Sequence, residues 1–237
     1  MVDTHPDEPA LHVSDVDARL NRLRAGVLGA NDGVVSVAGV VLGVVAATEH
    51  PGALAAAGVA ALVAGALSMG TGEYVSVSTQ SDTQRALLAK ERWELAEMPE
   101  QELAELVAIY EAKGLRPELA HRVAVELTEH DALAAHAEAE LGLDPEGLTS
   151  PWQAALTSTA AFTVGGLLPL LAVLLPPEPA RVLVCVAAVV AALVLTGAVS
   201  ARLGGAPVPR AVARNVGGGV LAMAVTHAVG HLVGAAL

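Results

Sequence analysis

Hydrophobic residues in this chain come in long runs. Five are long enough to cross a bilayer as helix, which takes about 20 residues. They are Ala25–Thr48, Gly52–Thr79, Trp152–Leu175, Ala180–Leu203 and Pro209–Leu237. The breaks between neighbouring runs are short. Glu49-His50-Pro51-Gly52 separates the first two, Pro176-Pro177-Glu178-Pro179 the third and fourth, and Gly204-Gly205-Ala206-Pro207 the last two. Breaks this rich in proline and glycine are turns, so the helices they join are antiparallel neighbours. Between the second and third runs lies a polar segment with no strand-like alternation. There the second run continues without a breaker through Ser81–Glu97, Pro99 opens a helix ending at Gly114, and Pro117 opens another ending near Gly142. Proline suits the first turn of a helix. A break in the last of these helices is expected around Thr128–Asp131. The expected fold is an all-α integral membrane protein: five transmembrane helices, with a helical domain between the second and third. The expected divisions are residues 1–22 (a tail), 23–79, 80–148 and 149–237.

Charge gives the pattern a direction. The chain is 54% hydrophobic and 16% charged, with mean hydropathy +0.55, too apolar for an ordinary soluble domain. Residues 80–148 hold sixteen Asp/Glu against six Lys/Arg, a net −10 of the total −12. Such a surface repels nucleic acid and attracts cations. Twelve of the thirteen basic residues fall on one side of the five runs, and only Arg181 on the other. Basic residues favour the cytoplasm, so the N-terminus and the acidic segment are expected inside and the C-terminus outside. The lone Cys185 excludes a disulfide framework, and no cleavable leader is evident. Trp152 is the one well-placed interfacial anchor in a chain with 2% aromatic residues.

Two carboxylates break the runs: Asp32 in the first and Glu73 in the second. A carboxylate at bilayer depth costs roughly 2.5–3.5 kcal/mol even on the lenient insertion scale, which a chain tolerates when the charge acts on an ion or a proton. Met69 and Glu73 are spaced i,i+4, so a thioether and a carboxylate share a face, a pairing suited to a borderline ion such as Fe²⁺. In the acidic segment Glu91 and Glu94 are spaced i,i+3, as are Glu102 and Glu105, and His136 and Glu140 are i,i+4. Each pair shares a helix face. Three such faces form half-sites that can converge on divalent metal; solvated helix faces have the same spacing, since glutamate favours exposed helix. His227 and His231 are also i,i+4. A single Glu118-x-x-His121 falls short of the two copies a di-iron bundle needs. No His-Glu-x-x-His and no Walker-type glycine loop is present, so any pumping runs on gradients.

The run Leu23-Arg24-Ala25-Gly26-Val27-Leu28-Gly29-Ala30-Asn31-Asp32-Gly33-Val34-Val35-Ser36 resembles the first-helix motif of the vacuolar iron transporter family. Ala66-Leu67-Ser68-Met69-Gly70-Thr71-Gly72-Glu73-Tyr74-Val75-Ser76-Val77 resembles the second-helix motif. The resemblance extends from about Leu20 to the end. It implies a homodimer in membrane lipid that exports Fe²⁺, and in some members Mn²⁺, from the cytoplasm in exchange for protons. It implies that Asp32 and Met69 line the pathway with Glu73 close by. Glu91 and Glu94, Glu102 and Glu105, and Glu140 would bind metal in a cytoplasmic domain. The plant members' paired methionines are replaced here by His136 and Ala137, trading soft ligands for an imidazole. Zn²⁺ and Co²⁺ join Fe²⁺ and Mn²⁺ as ions these ligands would take, and no prosthetic group is expected. High alanine content and compact loops suggest a bacterial member, placed in the plasma (inner) membrane. The rival reading is a membrane metal sensor or buffer that transports nothing.

Overall fold

The computed structural model of the chain describes residues 13–48, 50–145 and 147–236. Most of the expected tail, residues 1–22, lies outside that description, but helix α1 is already formed at Val13 and runs to Ala47. There follow α2 (Pro51–Glu97), α3 (Pro99–Ala112), α4 (Pro117–His136), a π-helical turn (Ala137–Leu141), α5 (Pro151–Leu174), α6 (Arg181–Leu203) and α7 (Val208–Ala236). Among the described residues there is no strand. Five stretches are long and apolar enough to cross a membrane: Leu23–Ala47, Pro51–Glu97, Pro151–Leu174, Glu178–Leu203 and Val208–Ala236. The chain is a multi-pass membrane protein.

Proline starts these helices and glycine ends them. Pro51, Pro99, Pro117 and Pro151 each stand at the first helical position, where a missing N–H costs nothing. At the C-termini Gly114 (φ 101°), Gly142 (φ 62°) and Gly205 (φ 65°) take the left-handed conformation that side chains resist. The amides of Leu115 and Ala206 then reach back to the Tyr110 and Ala201 carbonyls, closing each end.

The residues cluster into two units, one built on Ser76–Ser150 and the other on Asn21–Val75 with Pro151–Leu237. Helix α2 belongs to both. At 1.5 Å rise per residue its 47 residues reach about 70 Å, more than twice a ~30 Å hydrocarbon layer.

In the membrane unit α1 lies at the centre. Its Val34, Val37, Ala38, Val41 and Leu42 pack with Leu54 and Leu62 of α2, Phe162, Leu170 and Val173 of α5, Val189 and Leu193 of α6 and Met223 of α7. Outward-facing Val164, Leu175, Leu183 and Leu232 are more than two-thirds exposed, as lipid-facing residues are. Threonine hydroxyls in the spans donate to carbonyls one turn back, as Thr71 to Leu67, Thr163 to Thr159 and Thr226 to Ala222. Each of these hydroxyl hydrogens thereby has a partner in an apolar setting.

Small residues set the closest approaches. A Cβ on Gly33 would land on the Phe162 carbonyl of α5, and one on Gly230 would land on the Gly43 backbone of α1. Gly33 thus pins the backbone beside Asp32 against α5. Neither colliding partner is a flexible side chain, so Gly33→Ala must push the helices apart. It is expected to cost about 1–3 kcal/mol, the usual range for overpacking, read as a lower thermal midpoint in detergent.

Candidate metal centre

The acidic unit has a small apolar core of Leu106, Ala124 and Ala135, backed by Leu103, Val107, Tyr110, Leu127 and Ala139. Beside it three ionisable side chains are buried. Glu91 comes from α2, Glu102 from the first turn of α3 and His136 from the end of α4. Their ligand atoms all lie within 4.8 Å of one another. His136 Nδ1 is 2.9 Å from Glu91 Oε1, 3.6 Å from Glu102 Oε2 and 3.9 Å from Glu140 Oε2. Metal–ligand bonds of about 2.0–2.2 Å separate neighbouring donors by about 3–4 Å, so these atoms are already near coordinating distance.

Local breaks in helix geometry deliver His136. Asp131 leaves helical conformation (φ −158°, ψ 95°) inside α4. Its Oδ1 then accepts from the Ala134 amide at 2.9 Å, capping the restarted helix as an N-terminal Asp does. This lies within the Thr128–Asp131 interval where the sequence predicted a break. Directly after His136 the chain widens into the π-helical turn that carries Glu140. Such turns recur at functional sites because they re-aim side chains.

The buried group is unsatisfied as a protein-only network. Glu91 Oε1 and both ring nitrogens of His136 lack a hydrogen-bond partner. The 2.9 Å approach between them is a close contact of charge type without hydrogen-bond alignment. An unpaired buried polar atom costs about 1–3 kcal/mol, more when charged. Burial, reinforced by Glu140, Glu102, Glu94 and Glu105, pushes the Glu91 carboxyl up to about 7. Burial and then Glu105 raise Glu102, with His136 pulling the other way. Two buried carboxyls raised by burial and by neighbouring carboxylates, plus an imidazole whose ring nitrogens have no hydrogen-bond partner, form a donor set that fits a divalent cation. Mixed N/O ligation suits borderline first-row ions.

The other predicted glutamates divide. Glu140 stands at the rim, its side chain 31% exposed. Glu94 is clamped by Lys90, whose Nζ donates to both carboxylate oxygens at 2.6 Å. Glu105 is exposed and acts on the centre through charge. Glu118 and His121 are exposed and belong to no ligand group among the described residues.

In the membrane unit Asp32 is half-buried on α1, and Ser36 Oγ donates to its Oδ1 at 2.7 Å. Met69 is half-buried and packs against the apolar core. Glu73 is paired with Arg24, Nη2 to Oε1 at 3.2 Å, and is 10% exposed against 60% for the arginine. At the next residue, Tyr74 rests on Trp152 with ring centroids 4.8 Å apart. Within one chain, among the described residues, Asp32 and Glu73 belong to no group of three His, Cys, Asp or Glu ligands. Sequence reasoning missed both ion pairs. Lys90–Glu94 was visible as an i,i+4 spacing, whereas Arg24 and Glu73 are 49 residues apart and carry no local signal.

The family model described as the VIT family matches residues 23–231. The chain belongs to the VIT family. That match takes in both sequence motifs, the acidic unit and all five membrane stretches except the end of α7. A protein of Acanthamoeba castellanii named "Vacuolar iron transporter" is 44% identical over 211 residues, covering 89% of this chain and 78% of the relative. "Vacuolar iron transporter homolog 1" of Oryza sativa subsp. japonica is 39% identical over 92% of this chain and 76% of the relative. "Vacuolar iron transporter homolog 2" of Arabidopsis thaliana is 37% identical over 93% and 88%. These relatives of the VIT family chain are named as transporters, a class that is not enzymatic.

Proposed function

We propose that this VIT family member is a proton-coupled transporter that exports divalent metal, Fe²⁺ and Mn²⁺, from the cytoplasm. The observation that carries the reading is the buried Glu91–Glu102–His136 group, whose unpartnered donors fit a cation. The names of the relatives support iron as cargo. The skew of basic residues supports a cytoplasmic acidic unit and an outward C-terminus, and the alanine-rich composition supports a plasma membrane location. The acidic unit collects metal, and Asp32 and Met69 pass it across with Glu73 near the inner mouth. Among the described residues of one chain, the side-chain hydrogen-bond partner of Asp32 is a serine. That favours a homodimer in which first and second spans of both copies line the pathway. A completed donor group within the acidic unit alone would also serve a sensor or buffer, and transport separates the two readings. Mn²⁺ should quench a trapped fluorophore in proteoliposomes of this protein, and Mg²⁺ should not. No quenching beyond that of empty vesicles would favour the buffer.

The metal centre should respond to pH with a definite sign. Glu91 titrates at about 7 in the folded chain against an ordinary 4.5. Without metal, its contribution to stability is fully present below about 4.5 and is lost as pH rises through 7. Metal needs the ionised form and therefore displaces a proton. Mn²⁺ affinity is expected to rise from pH 6 to pH 8, with more protons released per ion at pH 6. Calorimetry in buffers of different ionisation enthalpy measures both.

A further inference from the structure

The structure holds a second pair of metal-competent side chains, separate from the acidic unit. His227 and His231 lie one turn apart on α7, with ring centroids 4.8 Å apart and planes at 80°. His227 Nδ1 is 3.1 Å from the Leu42 carbonyl of α1. A carbonyl has no hydrogen to give, so Nδ1 donates, and the neutral ring keeps its lone pair on Nε2. Metal-binding histidines are held in this way: the second nitrogen donates to a backbone carbonyl or carboxylate, fixing tautomer and ring orientation. The anchor itself is firm. Gly230 and Gly43 bring the α7 and α1 backbones into direct contact, next to the residues that supply imidazole and carbonyl. His231 is exposed and can turn its ring toward a shared ion.

We infer that His227 and His231 form a two-imidazole site for a borderline divalent transition-metal ion, at the end of the membrane unit where α1 and α7 finish. No third His, Cys, Asp or Glu joins them among the described residues, so water completes the coordination. Such a site ignores Mg²⁺ and Ca²⁺, which demand oxygen ligands. It ranks the remaining ions in the order Mn²⁺ < Fe²⁺ < Co²⁺ < Ni²⁺ < Cu²⁺ > Zn²⁺. Fe²⁺ and Mn²⁺ therefore leave it readily, whereas Ni²⁺, Cu²⁺ and Zn²⁺ stay. This site does not depend on the acidic unit or on the transport reading.

The test uses the full chain in detergent with Ni²⁺ and Cu²⁺ as probes. His231→Ala is the clean variant, because it removes an exposed ring and leaves the His227–Leu42 hydrogen bond in place. Unchanged Mn²⁺ binding by the acidic unit confirms that the variant is folded. Equilibrium dialysis should show one fewer tightly held Ni²⁺ per chain for His231→Ala and for the His227→Ala/His231→Ala pair. The electron paramagnetic resonance spectrum of bound Cu²⁺ should carry a two-imidazole nitrogen splitting that His231→Ala removes. The same Ni²⁺ stoichiometry in wild type and both variants, or a Cu²⁺ spectrum that His231→Ala leaves unchanged, overturns the inference.

Discussion

Asp32→Asn is expected to reduce pH-driven metal flux in proteoliposomes to the level of empty vesicles, while metal binding by the acidic unit survives. Asparagine keeps the shape of aspartate and can still accept the Ser36 hydrogen bond seen at 2.7 Å. It loses the charge that would balance a divalent ion and the site that would hold an exchanged proton. A carboxylate at bilayer depth costs roughly 2.5–3.5 kcal/mol, so its neutral replacement should fold at least as well as the wild type. A dead transporter with an equal or higher thermal midpoint would mark Asp32 as functional. Flux at the wild-type rate would make it structural.

Glu91→Gln is expected to have opposite effects with and without metal. The variant keeps the volume and removes one of the charges that repel one another at the centre. The metal-free protein should therefore gain stability at pH 8, where burial and four neighbouring carboxylates oppose ionised Glu91. With metal present the gain should reverse. If roughly 10–16 kcal/mol of site energy is shared among four ligands, losing one costs on the order of 3 kcal/mol. That is about a hundredfold in affinity. Thermal midpoints with and without Mn²⁺, and a titration, measure both effects. Equal Mn²⁺ affinity in variant and wild type would show that Glu91 is not a ligand.

Much of this architecture was legible in the sequence because its signals are local. Apolar runs mark the five membrane stretches, and proline starts with glycine ends mark the helix bounds at Pro99, Gly114, Pro117 and Gly142, whereas Pro51, read as part of a turn, opens α2. Which acidic residues meet was not legible. The i,i+3 spacing puts Glu91 and Glu94 on one face, but helix crossing decides that Glu91 is buried while Glu94 turns to Lys90. Glu102 and Glu105 divide in the same way, one buried and one exposed. His136 stood out in sequence by its i,i+4 spacing from Glu140 and as a departure from the family's methionines. Its burial depends on the cap at Asp131 and the turn after it, where a single residue leaves the helix. The Arg24–Glu73 pair joins two helices across 49 residues, and no spacing rule reaches that far.

The central claim is that metal and protons move in opposite directions through the membrane unit. Its most direct test is Fe²⁺ or Mn²⁺ uptake into proteoliposomes with and without an imposed pH gradient, with a trapped pH dye reporting proton movement at the same time. An acidic lumen should accelerate metal entry, and each burst of entry should be matched by alkalinisation inside. Metal entry at the same rate with and without the gradient, and with no change in internal pH, would contradict the account.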